Sequence, residues 1–156
     1  MELIEPILKF LHIVGAGVLL GTGVGIAFFM VLAHHDGRPV VVAAVARIVV
    51  IADFVFTATA VVLQPITGLG LALHEGFPLT TPWIMTSILL YAITGAFWIP
   101  VVFMQMRMRD LASAAACSGG ELPAEYHRLY RRWFGCGFPA FAAVLAIFWL
   151  MITKPS

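Results

Sequence analysis

Four long apolar runs constrain this chain more than any motif it carries. They cover Ile4–Ala33, Val40–Leu73, Trp83–Met106 and Trp133–Ile152. A helix needs about 20 such residues to cross the ~30 Å of hydrocarbon in a bilayer, and the first two runs are long enough to tilt or project beyond it. The first run reads as a span rather than a cleaved leader. It is too long, begins with acidic Glu2 and Glu5, and lacks a basic flank. The expectation is an all-α, four-helix transmembrane bundle forming a single integral membrane domain over residues 1–156, set in the lipid bilayer.

Composition agrees. The chain is 62% apolar and 11% charged, where a soluble domain has about 45–50% and about 25%. A net charge of +1 offers no footprint for nucleic acid. Cys117 and Cys136 have neither metal-ligand spacing nor partners for a disulfide framework. Between the runs lie "HHDGRP", "HEGFPLTTP" and the longer "RMRDLASAAACSGGELPAEYHRLYRR", read as loops on their Gly, Pro and charge. Arg38, Arg47, Arg107, Arg109, Arg128, Arg131 and Arg132 flank the first and third loops, whereas the other side holds only Lys9 and Lys154. This asymmetry predicts those loops in the cytoplasm and both termini outside it. The two cysteines then face the reducing compartment as free thiols. Trp83, Trp133 and Trp149 are expected in the interfacial belts.

A polar side chain in hydrocarbon is costly, so its direction carries information. Asp53, Thr57, Ala60, Gln64 and Thr67 recur at helical spacing in the second run and stay within about 40° of one direction. Ser87, Tyr91, Thr94, Trp98 and Gln105 form a stripe in the third run, and Lys9, His12, Ala16, Leu19 and Gly23 share a face in the first. Three seams of this kind face one another inside a bundle. Hydroxyl and amide side chains there also serve plain helix packing. Asp53 lies ~20 Å along its helix from the first loop, where insertion costs about 2.5–3.5 kcal/mol. Arg47 points elsewhere, so an arginine from the third or fourth run is the expected partner. Structural ion pairing and proton or ligand handling both stay open for Asp53.

Lys9 is long enough to snorkel to the interface. His12 is different, because imidazole is scarce in membrane spans and is both a metal ligand and a proton carrier. Axial ligation of a haem iron is its sharpest reading. His34, His35, His74 and His127 lie in or beside loops and are expected to be solvated. Gly17, Gly21 and Gly25 form a double small-xxx-small pattern for close helix approach, within the chain, in a homo-oligomer or against a partner subunit. Gly15, Ala16 and Gly23 leave room near His12 for a flat group or for a neighbouring helix. Pro65 and Pro100 are expected to kink their helices and to release carbonyls to seam hydroxyls.

"LKFLHI" in the first helix, "QPITGLGLAL" in the second, Trp83 and the closing "FPAFAAVLAIFWLMITKP" are similar to the bacterial four-helix membrane protoporphyrinogen oxidases of the HemJ family. Over essentially the whole length, the chain resembles more closely a family of small uncharacterised bacterial integral membrane proteins. The oxidase resemblance implies a bacterial inner-membrane protein with a haem b held by His12 near Lys9, which removes electrons and protons from a porphyrinogen. Where those oxidases carry a histidine and a lysine after the tryptophan of the third helix, this chain reads "WIMTS". Met85 then stands as a second axial candidate or as apolar filler, with Gln64 and Tyr91 as further cofactor-lining candidates and Lys9 and Asp53 as catalytic ones. Three function classes follow: a membrane haem-binding redox protein, a non-enzymatic accessory or structural subunit, and a transporter of a small ion or metal through Asp53 and His12.

Overall fold

The structure, a computed structural model, describes residues 3–155; Glu2 lies outside them. Helix α1 spans Ile4–Asp36 and α2 Pro39–Ala52. A π-helical segment, Asp53–Thr57, then leads without a break into α3, Ala58–His74. Helices α4, Pro82–Ser118, and α5, Ala124–Thr153, complete the bundle, and no strand occurs among the described residues. Among the described residues four helical spans are long and apolar enough to cross a membrane, counting Pro39–His74 as one of 36 residues. At ~1.5 Å per residue each is longer than the ~30 Å hydrocarbon slab.

The caps follow from local chemistry. Gly37 (φ 74°) and Gly119 (φ 67°) end α1 and α4 in the left-handed region, where only glycine is unstrained. Their amides bond back to the Ala33 and Ala115 carbonyls. Pro39 and Pro82 occupy first helical positions, where a missing N–H costs nothing.

The third loop departs from expectation. Residues 107–118 continue α4 and residues 124–132 begin α5, leaving only residues 119–123 outside helix. Ala, Arg, Leu and Met are strong helix formers, and polarity alone does not distinguish a loop from a helix that has left the membrane. Arg107 there forms a two-pronged bond to Glu125, tying α4 to α5.

Helix α1 packs on α2 and α3, α2 on α4, and α4 on α5. One core lies toward the Gly37 and Gly119 end, where Met30, Val42, Ala46, Met108, Ala112 and Tyr126 are fully buried. His34, expected to be solvated, is half-buried there. Its ring stacks on Tyr130 with centroids 3.6 Å apart and planes 11° from parallel, close to Tyr126 and His127. A smaller core at the termini end joins Ala72, Trp83 and Ile84 to Phe77, Leu150 and Met151. Trp83 and Trp133 are therefore buried against neighbouring helices, and Trp149 is exposed. The outward surface is studded with Phe10, Ile13, Phe28, Ile48, Phe54, Ile66, Leu89 and Phe103. Water would not tolerate so continuous an apolar surface, whereas lipid matches it.

Candidate functional site

Two polar nodes lie inside the bundle, and each is built on a short-range accident of the backbone. The first joins α1 to α3. Thr67 follows the habit of hydroxyls in apolar helices and donates to the Leu63 carbonyl four residues back, at 2.8 Å. Its oxygen lone pair thus accepts from His12 Nδ1 at 2.9 Å. This network assigns the imidazole proton to Nδ1 and leaves Nε2 as a lone-pair nitrogen with no bond to any described residue. Gln64 Nε2 donates to the His12 carbonyl at 2.8 Å, fixing the helix turn that carries the ring.

Glycine makes that approach feasible, although at other positions than the repeat suggested. A Cβ on Gly15 would stand 2.4 Å from Gln64 Nε2, and one on Gly68 would stand 3.0 Å from His12 Cε1. At Gly70 it would touch Leu8 at 3.4 Å. Gly17 and Gly21 meet nothing within 4 Å, and Gly25 meets only Phe29 of its own helix. The close-packing face within the chain is thus Gly15 against Gln64 and Gly68 against His12. The space expected beside His12 at Gly15 is filled by the Gln64 amide, not left open for a flat group.

Other candidates separate from this node. Lys9 bonds to Glu5 and lies 3.1 Å from Glu75, which Lys154 also reaches at 3.2 Å. The Lys9 ammonium beside Glu75 holds its carboxyl below the usual carboxylate range, and Lys154 adds to the effect. His74 lies 3.6 Å from Glu5 in the same cluster. These charges join the start of α1, the end of α3 and the end of α5, so both termini and the second loop share one end of the bundle. Met85 is 56% exposed and faces out of the bundle. Tyr91 donates to the Val61 carbonyl, the one that Pro65, four residues on and lacking an N–H, leaves unbonded. The expectation of a proline-released carbonyl taken by a seam hydroxyl holds at this position.

The second node centres on Asp53, which is 3% exposed. No arginine meets it. Trp98 Nε1 donates to Oδ1 at 3.2 Å. Assigned from its neighbours, the Gln105 amide directs its nitrogen to Asp53 Oδ2 at 2.7 Å and its oxygen to Trp133 Nε1 at 3.1 Å. A relay therefore runs from α5 through α4 to the π segment, with every donor pointing toward the carboxyl. The expected cation is replaced by neutral N–H groups because the arginines of α4 and α5 lie at the protruding, wetter ends of their helices. Trp133 is the member that sequence reading missed. Its place seven residues after Tyr126 and three after Tyr130, on the buried face of α5, was the available signal.

Among the described residues no group of three or more His, Cys, Asp or Glu stands close enough to hold a metal ion. Two apolar grooves lie along α1. One of about 160 Å³ runs between Val14, Val18 and Leu63; one of about 310 Å³ is lined by Gly21, Gly25, Ile48 and Phe56. Neither is lined by His12 or Asp53. Cys117 and Cys136 are free.

No curated protein and no solved structure matches the chain significantly. Residues 6–155, nearly its full length, match the family described as "Predicted integral membrane protein (DUF2269)", and the chain belongs to that family of predicted integral membrane proteins.

Proposed function

We propose that this integral membrane protein binds a b-type haem through His12 Nε2 and serves a redox reaction in the bacterial inner membrane, with both termini outside the cytoplasm. The observation that supports this reading is the His12–Thr67 bond. A hydroxyl committed to the Leu63 carbonyl accepts from Nδ1 and keeps the proton off Nε2, as second-shell partners of ligating histidines do. A porphyrin brings four nitrogens of its own, so one imidazole suffices as a protein donor. That suits a chain whose described residues gather no polydentate metal cluster.

The reading asks the chain for one axial bond, from His12. Gln64 and Gly68 hold the ring, one by bonding its backbone and the other by leaving it space. Met85 faces outward and Lys9 is engaged by two glutamates, so neither supplies a second donor beside His12. Haem, when bound, supplies a one-electron couple. The third-helix histidine and lysine of the oxidases that the chain resembles are absent here, so the proposal is haem binding and electron transfer rather than porphyrinogen oxidation.

The test is a reduced-minus-oxidised visible spectrum of protein purified in mild detergent from haem-replete cells. A Soret and an alpha band are expected, lost in His12→Ala and weakened in Thr67→Val, with affinity reduced roughly 10–100-fold. A parent protein without those bands, or one whose spectrum survives His12→Ala, refutes the reading.

A second reading, a non-enzymatic subunit that assembles through α1, draws support from the open face at Gly17 and Gly21. It expects Gly21→Leu to reduce association in the membrane while His12→Ala changes nothing.

A further inference from the structure

The middle of this bundle holds a single carboxyl. Helix α1 has no titratable side chain between His12 and His34, and the second span has none but Asp53 between Arg47 and His74. Helix α4 offers only Tyr91 before Arg107, and α5 only Cys136 from Trp133 onward to Thr153. No described Lys, Arg or His pairs with Asp53. Its known partners, Trp98 and Gln105 with Trp133 behind, are N–H donors that neither take up nor release protons near neutral pH.

One neighbour differs. Thr59, Thr67 and Thr94 each donate their hydroxyl to the carbonyl four residues back. For Thr57 that carbonyl is Asp53's own, and the π turn gives it to the Ala58 amide instead. Thr57 is 7% exposed, and its hydroxyl is buried with no hydrogen-bond partner. It stands four residues from Asp53, about one turn along the π segment, and both side chains are buried. A hydroxyl both donates and accepts, which neither of the two N–H partners does at the carboxyl.

We propose that Asp53 and Thr57 form a reversible proton-binding site within the membrane. In the ionised state the Thr57 hydroxyl donates to the carboxylate. When the carboxylate takes up one proton from water, an O–H bond forms on a carboxyl oxygen, the site goes from a charge of minus one to neutral, and no electron moves. The new O–H then donates to Thr57 Oγ1, and the hydroxyl turns over. The N–H bonds from Trp98 and Gln105 persist in both states, so the proton comes and goes without disassembling the node. The absence of a cation removes the usual means of holding a buried carboxyl permanently ionised, and π turns recur at functional positions. This inference is independent of haem at His12.

The test is pH-difference infrared spectroscopy of the full chain reconstituted in phosphatidylcholine films. All eight Asp and Glu side chains gain a carboxylic-acid C=O band as pH falls, so the expected signal is a separate high-frequency component from a carboxyl out of water, missing from the difference spectrum of Asp53→Asn, which keeps the side-chain shape, while the other bands remain. Thr57→Val should raise the midpoint of that titration, by up to about one pH unit, because the hydroxyl bonds the charged carboxylate more strongly than the neutral acid, and Thr57→Ser should restore it. A parent-minus-Asp53→Asn spectrum with no titrating acid C=O component overturns the proposal, as does a high-frequency component that is unchanged in Asp53→Asn. Should Asp53→Asn fail to fold, the threonine pair decides: equal midpoints in Thr57→Val and Thr57→Ser overturn it, and separated midpoints support it.

Discussion

Replacing Gln105 by leucine isolates the energetics of the Asp53 node. The side chain is 1% exposed and makes two bonds, donating to Asp53 Oδ2 at 2.7 Å and accepting from Trp133 Nε1 at 3.1 Å. Leucine has similar volume, so no cavity forms and the change is confined to polarity. It strands a carboxyl oxygen on one side and an indole N–H on the other. Each stranded buried group costs about 1–3 kcal/mol in soluble cores, whereas hydrogen bonds between membrane helices average ~0.6 and reach ~1.7 kcal/mol. Two bonds on the membrane scale give about 1–3 kcal/mol, with the upper half favoured because one partner is a carboxyl. Reversible unfolding in mixed micelles of mild detergent and SDS measures this directly, and the near-ultraviolet signal of Trp133 and Trp98 reports the node itself. A loss below about 0.5 kcal/mol, less than one average bond, refutes the relay. So would a loss that is equally large in Gln105→Leu and in Gln105→Leu built on Asp53→Leu, because coupled residues do not add.

The remaining predictions concern packing, charge and backbone. Gly15→Leu must displace Gln64 from the His12 carbonyl and should destabilise the α1–α3 pair by more than about 2 kcal/mol, whereas Gly21→Leu, facing open space, should leave monomer unfolding within about 0.5 kcal/mol of the parent; equal effects in the same micelle titration refute the assignment of faces. Glu75, held below its usual range by Lys9, is ionised in both folded and unfolded chains at neutral pH, so its contribution is complete above the ordinary carboxylate pKa and fades as pH falls through its lowered folded value. Thermal midpoints recorded from pH 7 downward should therefore fall more steeply in the parent than in Glu75→Gln, and parallel curves refute this. Tyr91→Phe should cost about 1 kcal/mol by unpairing the Val61 carbonyl, and much less in a Pro65→Ala background, where the helix amide takes that carbonyl back; an unchanged cost there refutes the proline argument.

The spans were legible because hydrophobic length acts through the solvent and needs no partner. Their true ends at Ser118 and Ala124 were not, because "RMRDLASAAACS" is polar for reasons of environment and helical for reasons of backbone. The polar faces of the second and third spans were legible as periodicity, and Asp53, Gln64, Thr67 and Gln105 are buried as that periodicity implied. Which groups pair was not legible: Gln105 meets Asp53 and Trp133 through a crossing of three helices, and spacing along one helix has no information on that. The glycines show the same limit. Gly17, Gly21 and Gly25 repeat with a period that Gly15 and Gly68 lack, yet close approach is settled by the opposing side chain, here Gln64 and His12. His34 was misread for the reverse reason, since nearness to a loop in sequence put it beneath Tyr130 in space.

The π segment at Asp53–Thr57 also has a consequence for insertions and deletions. Packing one extra residue into a turn rotates everything beyond it by about 100° relative to an unbroken α-helix. The segment before it packs on both α4 and α1, and the segment after it packs on α1. One continuous span thereby stays against α1 on both sides of the turn, while its first half also packs on α4. Removing a single residue between 53 and 57 would yield a smoother helix and a worse protein: Thr67 and Gln64 would swing away from His12 while Asp53 kept its place. Length variation among related chains should accordingly collect in residues 75–81 and 119–123, outside the helices, and spare this turn.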